Sequence, residues 1–102
     1  MLEEITKNHI LGSPVRLSIA LYLLPRRRVS FAELQKALNL TPGNLESHLK
    51  KLEREGYVRI FKGFADRPRT FIEITDKGAR ETIAFLRLLK KVIDEVLHDR
   101  GE

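Results

Sequence analysis

Thr41-Pro42-Gly43-Asn44-Leu45-Glu46-Ser47-His48-Leu49-Lys50-Lys51-Leu52-Glu53-Arg54-Glu55-Gly56 carries its own start, its own stop and two distinct faces. Thr41 is placed to accept an orphan backbone N–H as N-cap. Pro42 fits the first helical position, where its missing N–H costs nothing. Leu40 and Leu45 occupy the N′ and N4 positions of a hydrophobic staple. Leu45, Leu49 and Leu52 then follow at steps of four and three, which puts them on one face, and Gly56 can take the left-handed conformation that closes the last turn. The other surface carries Gly43, Asn44, Ser47, Lys50, Lys51 and Arg54, with Glu46 beside them. Small hydrogen-bonding groups come first and positive charge later.

Immediately upstream stands a second capped segment. Ser30 and Glu33 have the spacing of a capping box, Val29 and Leu34 that of a staple, and Leu34, Ala37 and Leu38 supply an apolar face. Asn39 and Leu40 leave only a short turn before Thr41. Two short amphipathic helices so joined are the helix-turn-helix pattern, in which the second helix enters the major groove of DNA. Further upstream, Ser13 and Pro14 open a strongly apolar helix, Val15 to Leu24, with Pro25 as its stop. Arg26, Arg27 and Arg28 follow as a basic cluster that reads either as a solvated connector or as a phosphate contact. Met1 to Leu11 is a short amphipathic segment expected to be helical up to the Gly12-Ser13-Pro14 break.

After Gly56 the period changes from helical to alternating. Val58 and Ile60 share one strand face, as do Ile72 and Ile74 in Thr70 to Thr75, and Lys62 to Arg69 is rich in turn and basic residues. The pattern predicts an antiparallel hairpin with an extended tip, a wing whose Lys62, Arg67 and Arg69 either solubilise a loop or contact phosphates and the minor groove. Phe64 is expected to fold back on the hairpin rather than insert between bases. Thr75 or Asp76 caps the last helix, which runs to about Leu97 although Gly78 weakens its first turn. Its apolar stripe, Ala79, Ile83, Leu86, Leu89, Ile93, Val96 and Leu97, exceeds what one small core requires. It either folds back within the chain or, as we read it, packs against a second copy together with Leu2 and Ile5.

With 102 residues the chain suits one domain and is short for an enzyme with a separate substrate domain. A formal charge of +5 favours an anionic partner. The lack of cysteine excludes disulfides and thiolate metal sites. No apolar run reaches the length of a membrane span and the N-terminus lacks the basic start of a signal peptide, so the expected location is cytoplasmic, with no membrane partner. One Met, no Cys and 32% charged residues would suit a heat-adapted source.

Four stretches in order, 11–16, 29–34, 44–58 and 71–78, make the sequence resemble the winged-helix regulators of the MarR and ArsR superfamily, above all the short archaeal and bacterial winged-helix DNA-binding domain proteins. The resemblance covers roughly residues 11 to 97. It implies a homodimeric, sequence-specific transcriptional regulator with the third helix in the major groove and the wing beside it. It also implies a small-molecule effector of unidentified nature, or a metal, though the thiolate ligands of many ArsR-like sensors are absent here.

The expected fold class is therefore α+β, mainly α: a winged helix-turn-helix with a two-stranded wing and a long C-terminal dimerisation helix. A single domain over 1–102 would comprise a helical extension (1–11), a winged-helix core (13–75) and a dimerisation helix (76–98). The expected DNA-binding residues are Asn44, Ser47, His48, Lys50, Lys51, Arg54, Arg26, Arg27, Arg28, Lys62, Arg67 and Arg69. Those expected at a dimer interface are Leu2, Ile5, Ile83, Leu86, Leu89, Ile93, Val96 and Leu97. Asn44 and Ser47 are read as base-edge contacts, because an amide can address adenine bidentately, and the cations as backbone contacts. His48 is expected to pack at the domain edge or bond a phosphate. His9 and His98 could meet if the terminal helices pair, but no acidic or thiolate ligands stand at metal-site spacing, so no metal or cofactor is assigned. Glu33, Glu53 and Glu55 read as capping and surface residues, and neither a phosphate-binding glycine loop nor a nucleophile arrangement is present, so no enzyme is expected. The competing readings are a winged-helix module that docks to the transcription machinery and a non-specific architectural DNA binder.

Overall fold

A computed structural model describes residues 1–101. Its elements run α1 (Leu2–Thr6), α2 (Pro14–Arg26), β1 (Arg28–Ser30), α3 (Phe31–Leu38), α4 (Pro42–Arg54), β2 (Val58–Phe64), β3 (Pro68–Ile74) and α5 (Asp76–Asp99). Each main helix opens on the cap its sequence provides: Ser13 accepts from the Arg16 N–H, Ser30 from Glu33, Thr41 from Asn44 and Thr75 from Gly78. The capping box at Ser30 is only half formed, because the Glu33 carboxylate accepts from the Tyr22 hydroxyl (2.7 Å) instead of reaching back to the backbone.

The core is one cluster. Ile19 and Leu23 of α2, Leu34 of α3, Leu45, Leu49 and Leu52 of α4, and Ile72 of β3 are fully buried, with Leu11 beneath them and Phe85 of α5 at the edge. Each buried leucine is worth about 2 kcal/mol relative to exposure, so α4 is held chiefly by its three-leucine face. Gly56 closes it at φ +78, as its position suggested.

Further local expectations are corrected. The chain is helical in α1 only over Leu2–Thr6; turns follow to Gly12, with Asn8 Oδ1 accepting from the Leu11 N–H (2.8 Å). Pro25 lies inside the last turn of α2 instead of stopping it, since proline's own φ is helical and only one N–H is lost. The helix ends at Arg27, which turns to φ 69. Ala37 is exposed, leaving Leu34 and Leu38 to pack α3. Residues 28–30 form a strand on β3, so the sheet has three strands in the order β1-β3-β2, and the wing is its β2–β3 hairpin. Pairing continues to Phe64↔Pro68, leaving three residues at a tip shorter than expected.

Phe64 does not fold back: it is 82% exposed, because the hairpin carries it past the last residue on which it could pack.

On α5, Gly78, Thr82 and Phe85 face the core, while Ile83, Ile93, Val96 and Leu97 stay exposed. Thr82 Oγ1 is buried with no hydrogen-bond partner among the described residues. Thr82→Val, which keeps the shape and removes the orphan hydroxyl, is expected to stabilise the protein by about 1 kcal/mol. Thermal unfolding of the two proteins checks this, and a lowered Tm in the variant would show that the hydroxyl is satisfied in solution.

Candidate nucleic-acid interface

Opposite the leucines, α4 presents Gly43, Ser47, Lys50 and Arg54 at steps of four, three and four, all exposed, with exposed Asn44 and half-buried Lys51 on the flank. Thr41 caps the Asn44 backbone, yet neither the Asn44 amide nor the Ser47 hydroxyl bonds to another described residue. Lys50 approaches Glu46 at 4.0 Å, an exposed pair of little energetic weight. This face is polar, cationic and largely unengaged.

Beside it runs the wing. Lys50 and Lys62 stand on the walls of one groove between α4 and the hairpin, over a floor that includes Leu49, Ile60 and Thr70. Lys62 is held there by donating to Thr70 Oγ1 across the hairpin (2.6 Å). At the tip, Arg69 donates to both carboxylate oxygens of Asp66 (3.0 and 3.2 Å), and this guanidinium holds the Asp66 carboxyl below its ordinary pKa. Arg67 is exposed, and its guanidinium has no partner among the described residues.

The other predicted cations lie elsewhere and are engaged. Arg26 stacks on the Tyr22 ring (3.8 Å to its centroid) and Arg27 lies 4.0 Å from Asp76. Arg28 donates to Glu73 Oε2 (2.8 Å by its nearer nitrogen), while Arg59 donates to Glu73 Oε1 (2.9 Å). Arg28 first, then Arg59, hold the Glu73 carboxyl below the usual range. Glu73 is five residues along β3 from Pro68, roughly 17 Å from the wing tip at the rise of a strand.

His48 sits at the edge of α4 on a contact its sequence position could not reveal. Arg16 donates to Ile10 O (2.8 Å) and His9 O (2.9 Å), and its third nitrogen lies 3.0 Å from His48 Nδ1. Arginine only donates, so Nδ1 is the acceptor and Nε2–H remains free to point outward. Desolvation first, and the Arg16 charge second, lower the His48 pKa. Sequence reading missed Arg16, whose partners are distant in the chain. It also missed the Arg59–Glu73 pair, which only the hairpin register brings together.

Of the residues expected at a dimer interface, Leu2, Ile83, Ile93, Val96 and Leu97 are exposed and Leu86 is half-buried. Ile5 and Leu89 pack partly on the core of their own chain. Among the described residues no group of three or more His, Asp or Glu could hold a metal ion, and no helix is long and apolar enough to cross a membrane.

A capped helix with an open polar face, preceded by a tight turn and flanked by a basic hairpin, defines a winged helix-turn-helix. The family described as winged helix DNA-binding domain matches residues 15–93. The chain belongs to that family, and its resemblance to the MarR- and ArsR-like regulators stands. The structure is similar to that of a transcriptional regulator homologue from Pyrococcus horikoshii OT3, with 58% identity, a TM-score of 0.90, and coverage of 93% of this chain and 95% of the other. It is also similar to the transcriptional regulator BldR from Sulfolobus solfataricus, at 25% identity and TM-score 0.69, covering 95% and 71% of the two chains. An uncharacterised protein of Methanocaldococcus jannaschii is 40% identical over 85 residues, 82% of this chain and 89% of that protein.

The His48 contact predicts a pH dependence. With a folded pKa below the unfolded value, His48 contributes stability that is fully present above about pH 6.5 and is lost as pH falls through the folded pKa. Urea midpoints at about pH 7.5 and about pH 5.5 are expected to fall on acidification, and to fall less in His48→Asn, whose Oδ1 stands where Nδ1 does and accepts from Arg16 without titrating. Equal falls in the two proteins would count against the contact.

Proposed function

We propose that the protein is a sequence-specific, double-stranded-DNA-binding transcriptional regulator that acts as a homodimer. The observation that carries this reading is the open face of α4, Gly43, Asn44, Ser47, Lys50 and Arg54, set beside a wing that shares its groove through Lys62. Membership of a DNA-binding family supports it, as does the 58% identity to a protein described as a transcriptional regulator homologue. Asn44 and Ser47 address base edges; Lys50, Lys51, Arg54 and Lys62 hold phosphates, Arg67 reaches a phosphate or the minor groove, and the free Nε2–H of His48 is a further donor to a phosphate. Arg26, Arg28 and Arg69, being engaged within the chain, add to the attractive field more than to direct contacts, whereas Arg27, only 4.0 Å from an exposed Asp76, is as available as Lys50. Such a protein works in the cytoplasm, beside the chromosome.

The dimer reading rests on the exposed stripe of α5. The Cα radius of gyration is 15.3 Å, against about 13 Å for a compact chain of this length, so the helix extends beyond the core with Ile93 and Val96 half in water (52% and 51% exposed). Two copies joined there would offer two reading heads to half-sites about one helical turn, roughly 34 Å, apart. A small-molecule effector would act by changing that spacing.

Selection of duplexes from a random library, under competition with unrelated DNA, tests the reading. Enrichment of a palindrome is expected. Uniform binding with a steep salt dependence would identify an architectural binder, and no binding at low salt a protein-docking module. On the selected palindrome Asn44→Ala is expected to lose about 1–3 kcal/mol and relax preference at one base pair; equal losses on scrambled duplexes would remove Asn44 from base readout.

Ile93→Glu, outside the core, is expected to give a folded monomer by sedimentation. A mass of two chains would place the interface elsewhere.

A further inference from the structure

Phe64 is the most exposed of the large apolar side chains, at 82%. The others lie on α1, α2 and α5, so it is no part of the stripe attributed to dimerisation. Nor does it end a frayed loop, since ladder pairing continues through Gly63↔Arg69 to Phe64↔Pro68. The tip is therefore a paired hairpin end that holds a phenyl ring in solvent.

Strand alternation fixes which way that ring points. Lys62 faces the groove shared with α4, and Phe64, two residues on, shares that face about 7 Å nearer the tip. With the open face of α4 in a major groove, as proposed above, the hairpin beside it would extend toward the adjoining minor groove. The charges at the tip suit that position. Asp66, the acidic group there, is neutralised by Arg69, whereas Arg67 is left without a partner among the described residues. A cation beside a rigid, bare aromatic ring is the chemistry that enters a minor groove and wedges apart a base step, most readily a flexible pyrimidine–purine step.

We propose that Phe64 is such a wedge, inserted with Arg67 into the minor groove flanking each half-site, where it unstacks one pyrimidine–purine step and bends the duplex. The proposal rests on the DNA-binding reading above and assigns to the wing a specificity that base contacts by α4 do not supply. Replacing the flexible step by a stiff A-tract raises the energy of deformation, so discrimination between the two flanks should depend on the ring.

The test uses the full chain and duplexes carrying the selected palindrome, with 2-aminopurine placed in turn at each flanking step. Wild-type protein is expected to raise 2-aminopurine fluorescence at one symmetric pair of steps and to shorten the end-to-end distance read by energy transfer. Phe64→Ala is expected to abolish both signals, to weaken binding about tenfold on the pyrimidine–purine flank and to change it little on the A-tract flank. Protection of guanine N7 in the half-sites should persist, which shows that α4 is still seated, and Phe64→Leu, still an apolar wedge, should retain much of both signals. A wild-type complex that protects guanine N7 without a fluorescence rise at any flank position overturns the wedge alone, as does a Phe64→Ala complex that keeps the rise. Failure of wild-type protein to bind any duplex overturns the DNA-binding reading and the wedge with it.

Discussion

The placement of the reading head relative to α5 depends on one close approach. The backbone of Tyr57, just past the end of α4, lies against Gly78 in the first turn of α5, so closely that any Cβ at Gly78 would collide with the Tyr57 carbonyl. Thr75 ties the same two segments. Its N–H donates to Tyr57 O (2.9 Å), its hydroxyl donates to Gly56 O (2.6 Å), and its oxygen accepts from the Gly78 N–H (2.9 Å). The exit of α4 and the entry of α5 are thereby joined with almost no side chain between them. A helix that leaves the domain from so tight a joint points in a defined direction, and in a dimer held through α5 that direction would set where the second α4 stands.

Internal ion pairs decide where the positive charge is available. On the outer face of the sheet Glu73 takes both Arg28 and Arg59, whose guanidinium groups also lie over the Phe61 ring (5.1 and 4.6 Å to its centroid), and Phe61 stacks on Phe71. Arg69 is taken by Asp66 and Arg27 lies by Asp76. Ser47, Lys51, Arg54 and Arg67 have no such partner among the described residues. The net charge of +5 is thus a poor guide to the binding surface. What matters is that Lys51 and Arg54 on α4 and Arg67 at the wing tip are among the cations left unpaired, so that a phosphate can replace water there without first breaking a salt bridge.

Features coded within a few residues were legible in the sequence. The caps at Ser13, Ser30, Thr41 and Thr75, the leucine spacing of α4, the left-handed Gly56 and the strand alternation around Ile60 and Ile72 all have partners within a turn or a hairpin. The features missed depend on distant segments or on the lack of any neighbour. Strand β1 has three residues, too few for a period, and forms because Arg28–Ser30 meets β3 more than forty residues later. Arg16 reaches His48 across 32 positions. The sequence leaves Phe64 either folded back on the hairpin or free to insert between bases, and only the register and its 82% exposure show that it does not fold back. The α4 face itself was readable as polar and cationic, but the separation of engaged from unengaged arginines required the pairing of Glu73 and Asp66 to be known.

Two glycines close the argument from opposite directions. Gly78 lowers helix propensity at the start of α5 and looks like a defect in the sequence, yet the Tyr57 carbonyl forbids anything larger. Gly43 carries the same propensity cost in the first turn of α4, but outside its chain neighbours and the local helix backbone no described atom lies within 4 Å of where its Cβ would be, and its φ is not positive. Neither packing nor backbone conformation within the chain requires a glycine there. The absence of a side chain there leaves the helix backbone open to the outside. Gly43 lies on the open face in line with Ser47, Lys50 and Arg54, where a missing side chain lets another surface approach the helix backbone, and Pro42 before it and the capped Asn44 after it leave the Gly43 N–H as a donor on that face. A phosphate backbone is the surface that a helix start so built accommodates. The fold accounts for Gly78, whereas at Gly43 it is only the DNA-binding reading that would give the bare backbone a use.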